Sequence, residues 1–195
     1  MSVQTLDDWI ETMLDPELDD ERREEAAIQV GALGEEALKV LKSLIGSHDT
    51  ETRWWAARAL AAVGGPDSVS LLLLALMDAD PDVRACAALG LGILKATQAI
   101  SDLARVLDDP SAYVARIASN ALITIGPAAA PQLIASLDHP SPAVRIGAAR
   151  ALVPLESHAA IPALFAALDD DHPLVTYYSQ EALWRMGVGM VLLEP

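Results

Sequence analysis

The chain repeats itself every 30 or 31 residues, which constrains its fold more than any single motif does. Set in register, one recurring string reads "RREEAAIQVGALG" (22–34), "TRWWAARALAAVG" (52–64), "VRACAALGLGILK" (83–95), "VARIASNALITIG" (114–126), "VRIGAARALVPLE" (144–156) and "VTYYSQEALWRMG" (175–187). A second string lies between the copies, as in "DSVSLLLLALMD" (67–78) and "QAISDLARVLDD" (98–109). It carries one column of Leu41, Leu72, Leu103, Leu133 and Leu164, and a second of Ile45, Leu76, Leu107, Leu137 and Leu168. A fixed period of this length is the signature of stacked supersecondary units.

Both strings place apolar residues three and four apart, which gathers them on one stripe of a helix. Each period therefore reads as a helical hairpin. The joints agree: "DADPD" (78–82), "DDPSA" (108–112), "DHPSP" (138–142) and "DDDHP" (169–173) combine Asp caps with Pro, which stops one helix and opens the next. A first helix near residues 3–14, with Leu6, Trp9, Ile10 and Met13 on one face, completes six hairpins. The paired alanines Ala56 and Ala57, Ala87 and Ala88, and Ala148 and Ala149 let neighbouring helices approach closely. One hairpin cannot bury such a face, so its neighbours must stack on it.

Composition narrows the partners. Aromatic residues are 4% of the chain, so its apolar content is mostly Ala and Leu, which favours packed helices over sheets. Against 28 acidic residues stand 13 basic ones, a formal net charge of −15 that repels phosphate backbones and anionic bilayers. Neither nucleic acid nor membrane is an expected partner. The acidic run at 6–25 reads as a solvated helix face and loop. Cys86 is the single cysteine, so no internal disulfide forms. The opening "MSVQTLDDWI" lacks the features of a signal peptide, and "LLLLALM" (71–77) is too short to span a bilayer. A soluble cytoplasmic protein is expected.

"DPDVRACAALGLGIL" (80–94) followed by "AISDLARVLDD" (99–109) resembles the HEAT repeat, in the short form found in bacterial adaptors and phycobilin lyase subunits. The resemblance covers nearly the whole chain. It implies an all-α fold, an α-solenoid wound as a right-handed superhelix of about six hairpins in a single domain. The repeats fall at 1–34, 35–64, 65–95, 96–126, 127–156 and 157–187, with a tail at 188–195. It also implies a charge ladder along the stack, with Asp78, Asp109 and Asp170 as acids and Arg23, Arg53, Arg84 and Arg145 as bases. Ala115 and Thr176 replace the arginine and should interrupt it.

No catalytic or phosphate-binding motif is present in the sequence, and no cofactor or metal is expected. His48, His139 and His172 fall in turns about one helix-packing distance apart or more, roughly 10 Å, too far to share a tetrahedral metal. Cys86 reads as a small buried hydrophobe.

The informative residues are those left over once the packing face of the second helices is assigned: positions one, two, five and nine after the Arg column. The resemblance implies that these line the concave side. They are Trp54, Trp55 and Arg58; then Leu89 and Ile93; then Arg116, Ile117 and Asn120; then Ile146 and Arg150; then Tyr177, Tyr178, Glu181 and Arg185. Aromatic residues with arginine are the usual composition of binding hot spots. A non-catalytic adaptor for a protein or peptide is the expected function. Its alternative, by resemblance, is a bilin lyase or chromophore-handling subunit whose arginines hold propionates. The apolar tail residues Val188, Met190, Val191, Leu192 and Leu193 need cover, which makes self-association a further expectation.

Overall fold

A computed structural model describes residues 4–188. Helices form where the apolar stripes predict them, and among the described residues they make six hairpins. The chain separates into two compact units, the first ending at Leu94 and the second beginning at Lys95. In the first unit, α1 (Leu6–Leu14) pairs with α2 (Asp20–Ala32), α3 (Glu35–Leu44) with α4 (Thr50–Val63), and α5 (Gly65–Ala75) with α6 (Pro81–Ile93). In the second, α7 (Ile100–Arg105) pairs with α8 (Ala112–Ile125), α9 (Ala130–Ser136) with α10 (Pro142–Leu155), and α11 (Ile161–Ala166) with α12 (Pro173–Arg185). Short 3-10 turns extend α7 and α11 at both ends and α9 at its start. The tail residues Met190 to Leu193 lie outside the described residues.

The second helices pack side by side within each unit, α2 on α4 on α6 and α8 on α10 on α12. The first helix of each hairpin packs on its own second helix. The leucine column Leu41, Leu72, Leu103, Leu133 and Leu164 is fully buried, as are the paired alanines of α4, α6 and α10. Small residues set the helix spacing. Gly31 of α2 comes so close to α4 that an added Cβ would lie 2.3 Å from the Ala62 Cβ and 2.9 Å from its carbonyl carbon. In the second unit the Ser119 hydroxyl donates to the Gly147 carbonyl at 3.1 Å, tying α8 to α10.

Caps open the helices. Thr5 and Asp8 form a reciprocal capping box on α1, and Asp19, Asp49 and Asp80 accept backbone N–H groups at the starts of α2, α4 and α6. His172 caps α12 through its Nδ1, which accepts from Leu174 at 3.2 Å, and His139 Nδ1 accepts from Ser141 at the same distance. These two turn histidines thus serve as local acceptors.

Each hairpin closes on a residue in the left-handed region. Gly34, Gly64, Gly126 and Gly187 hold φ between 58° and 89°, and Lys95 (48°) and Glu156 (46°) take the equivalent position without a glycine's freedom.

The ladder is built as a fork. Arg53 Nε and Nη2 donate to both carboxylate oxygens of Asp78, 25 residues on, at 2.7 and 2.9 Å, and its Nη1 reaches the Ser47 and His48 carbonyls. Arg145 repeats this with Asp170 at 2.6 and 3.0 Å and with the His139 and Pro140 carbonyls. Each of these acids also accepts the N–H two residues on, from Asp80 and His172 respectively, so one carboxylate both shapes its turn and joins two repeats. Arg84 reaches the Asp78 and Ala79 carbonyls with the same Nη1. Thr176 keeps only a hydroxyl bond to the Asp170 carbonyl. Arg23 departs from the ladder, because the residue 25 positions on is His48. It pairs with Glu51 at 2.5 Å instead and donates its Nε to the Met13 carbonyl.

The guanidinium bonds hold the Asp78 and Asp170 carboxyls below their ordinary value of 3.8, with Arg53 and Arg145 the principal causes. A lowered folded-state pKa stabilises the fold above the ordinary value, and that contribution is lost as pH falls through the folded one. Asp78→Asn is therefore expected to lower stability at neutral pH and to flatten its decline in acid. Urea unfolding at a series of pH values below neutrality measures both effects. An unchanged acid profile would count against the ladder as a stabilising device.

Candidate functional site

The structure sorts the expected face residues by column. The column nine positions after the Arg register is exposed throughout, from Ala32 and Ala62 to Ile93, Thr124, Pro154 and Arg185. The first and fifth columns are mixed. The second column runs from exposed Glu25 through buried Trp55 and Cys86 to half-buried Ile117, Gly147 and Tyr178, and Trp55 departs from the expectation of a surface aromatic: it is only 3% exposed. The Arg23 guanidinium sits 4.6 Å from its ring centroid and Trp54 meets it edge-on at 4.8 Å. Trp55 is a packing residue of the first unit, and Trp54 remains half-buried beside it.

In the first unit the open apolar part of this face is carried by Ile28 on α2, 44% exposed, and by Leu89 and Ile93 on α6, 48% and 51% exposed. Arg58 on α4 is engaged by both carboxylate oxygens of Glu24 on α2, so its charge is neutralised. Cys86 lies under the same region, its Sγ 3.7 Å from the Trp54 carbonyl. Burial pushes its thiol up to about 12, only partly opposed by Arg58. Cys86 is therefore expected to resist iodoacetamide at neutral pH in the folded chain and to react once urea unfolds it. Rapid alkylation of the native protein would contradict this placement.

The second unit carries a different face. Tyr113 is exposed at the start of α8, and the Arg116 guanidinium lies 5.5 Å from its ring centroid. One turn on, Asn120 accepts a hydrogen bond from Arg150 of α10 through its Oδ1. Ile117 and Ile146 are half-buried on these two helices. On α12, Tyr177 is 58% exposed and meets the half-buried Tyr178 edge-on at 5.3 Å. Arg185 pairs with Glu181 one turn away at 3.0 Å. Among the described residues neither Arg116 nor Arg150 has a carboxylate within 4 Å, unlike Arg58 and Arg185.

Sequence reasoning missed the exposed apolar residues of the first helices. Leu74 and Met77, inside and just after the α5 leucine run, are exposed, and so is Phe165 of α11; on the second helix α12, Trp184 is exposed as well. A run such as "LLLLALM" wraps the full circumference of its helix, so one leucine faces outward whatever the phase. Among the described residues no cluster of His, Cys, Asp and Glu could hold a metal ion. Nor is any single helix there long and apolar enough to cross a membrane.

Stacked hairpins with open second-helix faces and structural charges in the turns define an α-helical repeat scaffold. The model of HEAT repeats matches residues 6–92 and 100–184, and the chain belongs to that family. No curated protein matches the sequence. Among solved structures, an engineered protein is similar at 25% identity and a TM-score of 0.53, covering 96% of this chain and 98% of that one. The complex of CpcE and CpcF of phycocyanin lyase from Nostoc sp. PCC7120 is similar at 24% identity and 0.55, covering 96% and 79%. The archaeal HEAT-like repeats protein from Thermococcus onnurineus NA1 is similar at 14% identity and 0.63, covering 95% and 82%.

Proposed function

We propose that this chain is a non-catalytic scaffold or adaptor that holds a protein or peptide partner on its second-helix faces. Two observations, one on each unit, support the reading: Leu89 and Ile93 are exposed on the second-helix face of the first unit, and on that of the second unit Tyr177 is exposed and two arginines meet no carboxylate. Apolar and aromatic side chains beside arginine are what binding hot spots are made of. The ladder arginines are consumed in turns and contribute stability instead.

The test compares the native chain with a Leu89→Ser, Ile93→Ser, Tyr177→Ser variant in affinity capture from the source cells, with thermal melts run beside it. These side chains are exposed, so the variant is expected to melt like the native chain while losing its captured partner. An identical captured set from both chains would overturn the reading.

A second reading, a chromophore-handling subunit, is favoured by one feature: two arginines without carboxylate partners beside exposed tyrosines could take the paired propionates of a linear tetrapyrrole. The phycocyanin lyase neighbour shares the fold with this chain. Titration with phycocyanobilin separates the readings, since a shifted absorption band that Arg116→Gln or Arg150→Gln removes would favour the chromophore.

A further inference from the structure

We infer that the second-helix face of the C-terminal unit receives an acidic, extended peptide segment, with Arg116 and Arg150 each taking one carboxylate; this rests on the scaffold reading and names its partner's chemistry. The argument starts from charge. In a chain of net charge −15, arginines have acids in abundance, and the turn and face arginines Arg53, Arg58, Arg145 and Arg185 all meet one. Arg116 and Arg150 stand on adjacent helices of one unit, and among the described residues neither has a carboxylate within 4 Å. Where Arg58 reaches back to Glu24, Arg150 reaches back to the neutral amide of Asn120. That bond orients the guanidinium without cancelling its charge.

The two arginines are also brought to one place. Asn120 lies four residues after Arg116, one turn along the same face of α8, so the Arg150 guanidinium is anchored beside the turn that carries Arg116. The Arg116 guanidinium lies over the Tyr113 ring, a favourable cation–π placement. A held guanidinium loses less entropy on binding, and its planar fork fits a carboxylate with two hydrogen bonds.

The surrounding charge selects the ligand. A polyanion such as nucleic acid or an anionic bilayer meets the repulsion of the whole chain, whereas a short segment with two or three carboxylates meets chiefly these arginines within a Debye length of roughly 10 Å. Packed helices lie about 8–10 Å apart, and alternate residues of an extended strand about 7 Å apart, a difference that the long arginine side chains span. The same two helices carry half-buried Ile117 and Ile146, with Tyr177 exposed on the next helix. A partner alternating acidic with apolar or aromatic residues matches that composition.

The probe is a capped peptide of about twelve residues with Glu at alternate positions and Val or Tyr between, alongside its Gln and Lys counterparts. Fluorescence anisotropy measures binding, and amide chemical shifts map it. The Glu peptide is expected to bind the native chain and to shift α8, α10 and α12, and the Lys peptide is expected not to bind. Arg116→Gln and Arg150→Gln should each weaken the Glu peptide about tenfold. The double variant Arg116→Glu, Arg150→Glu should reverse the preference toward the Lys peptide, a gain that misfolding cannot produce. Equal binding of the Glu and Gln peptides, or Glu-peptide binding that both Gln variants leave intact, would overturn the inference. So would phycocyanobilin binding that depends on both arginines in the absence of Glu-peptide binding. If capture of the native partner depends on Tyr177 but on neither arginine, the acidic-peptide inference falls while the scaffold reading stands. If it depends on none of these and on neither Leu89 nor Ile93, both fall.

Discussion

Leu133→Ala is expected to lower the unfolding free energy by about 3–4 kcal/mol, the largest effect of any single substitution considered. Leu133 is fully buried in α9, in the column that Leu41, Leu72, Leu103 and Leu164 share. Truncation loses the transfer free energy of the side chain and leaves a cavity. The neighbours that could collapse into that cavity are themselves fixed: α9 packs on α10, and Ala148 and Ala149 of α10 have no volume to give. In a repeat stack each interface is a large share of the stability of its neighbours, so the loss spreads beyond one hairpin. The control is Leu74→Ala, where the side chain is 65% exposed and the change should stay within about 0.5 kcal/mol. Urea unfolding followed by circular dichroism measures both. Similar small effects at the two sites would contradict the assignment of the column to the core.

Gly31→Ala is expected to destabilise by about 1–3 kcal/mol, the opposite sign from its effect on an isolated helix. Helix propensity alone favours Ala over Gly by about 1 kcal/mol. Here the new Cβ would stand 2.3 Å from the Ala62 Cβ and 2.9 Å from the Ala62 carbonyl carbon. Backbone cannot swing aside as a side-chain end can, so α2 and α4 must separate. Adding Ala62→Gly to the variant should recover part of the loss, because it removes the shorter contact and leaves the backbone one. Gly147→Ala should cost less, since its Cβ would meet only side-chain atoms of Leu107, the nearest a terminal methyl at 2.9 Å, and no backbone. A higher melting temperature for Gly31→Ala would show that α2 and α4 are not in such close approach.

The period made much of this legible before any coordinates. The closing position recurs in all six hairpins, the leucine column in five and the paired alanines in four, so chance variation averages out. The closing position illustrates the limit: Gly34, Gly64, Gly126 and Gly187 declare a positive φ, but Lys95 and Glu156 also take a positive φ with nothing in their identity to announce it. The ladder positions came from the family resemblance, whereas its 25-residue reach from Arg to Asp appears only when Arg53 and Arg145 are seen gripping the next turn. That reach explains why Arg23, facing His48, turns to Glu51.

The face was less legible, because helical phase separates buried from exposed only where the neighbours on both sides are known. Second helices pack flank to flank, so the second column after the Arg register, which phase alone leaves open, closes over Trp55. Charge pairing was invisible for a similar reason. Arg58 and Arg150 occupy the same repeat position, and only the residue each reaches on the preceding helix, Glu24 or Asn120, decides whether its charge remains available.

Two sets of exposed apolar residues now compete as interfaces: Ile93 and Tyr177 on second helices, and Leu74 and Met77 at α5. Photo-crosslinking in the source cells distinguishes them most directly, with benzoylphenylalanine placed singly at positions 74, 77, 93 and 177. Discrete adducts from 93 or 177, with none from 74 or 77, are the predicted result. Adducts confined to 74 and 77 would place the partner on the first helices and contradict the assignment of function to the second-helix faces.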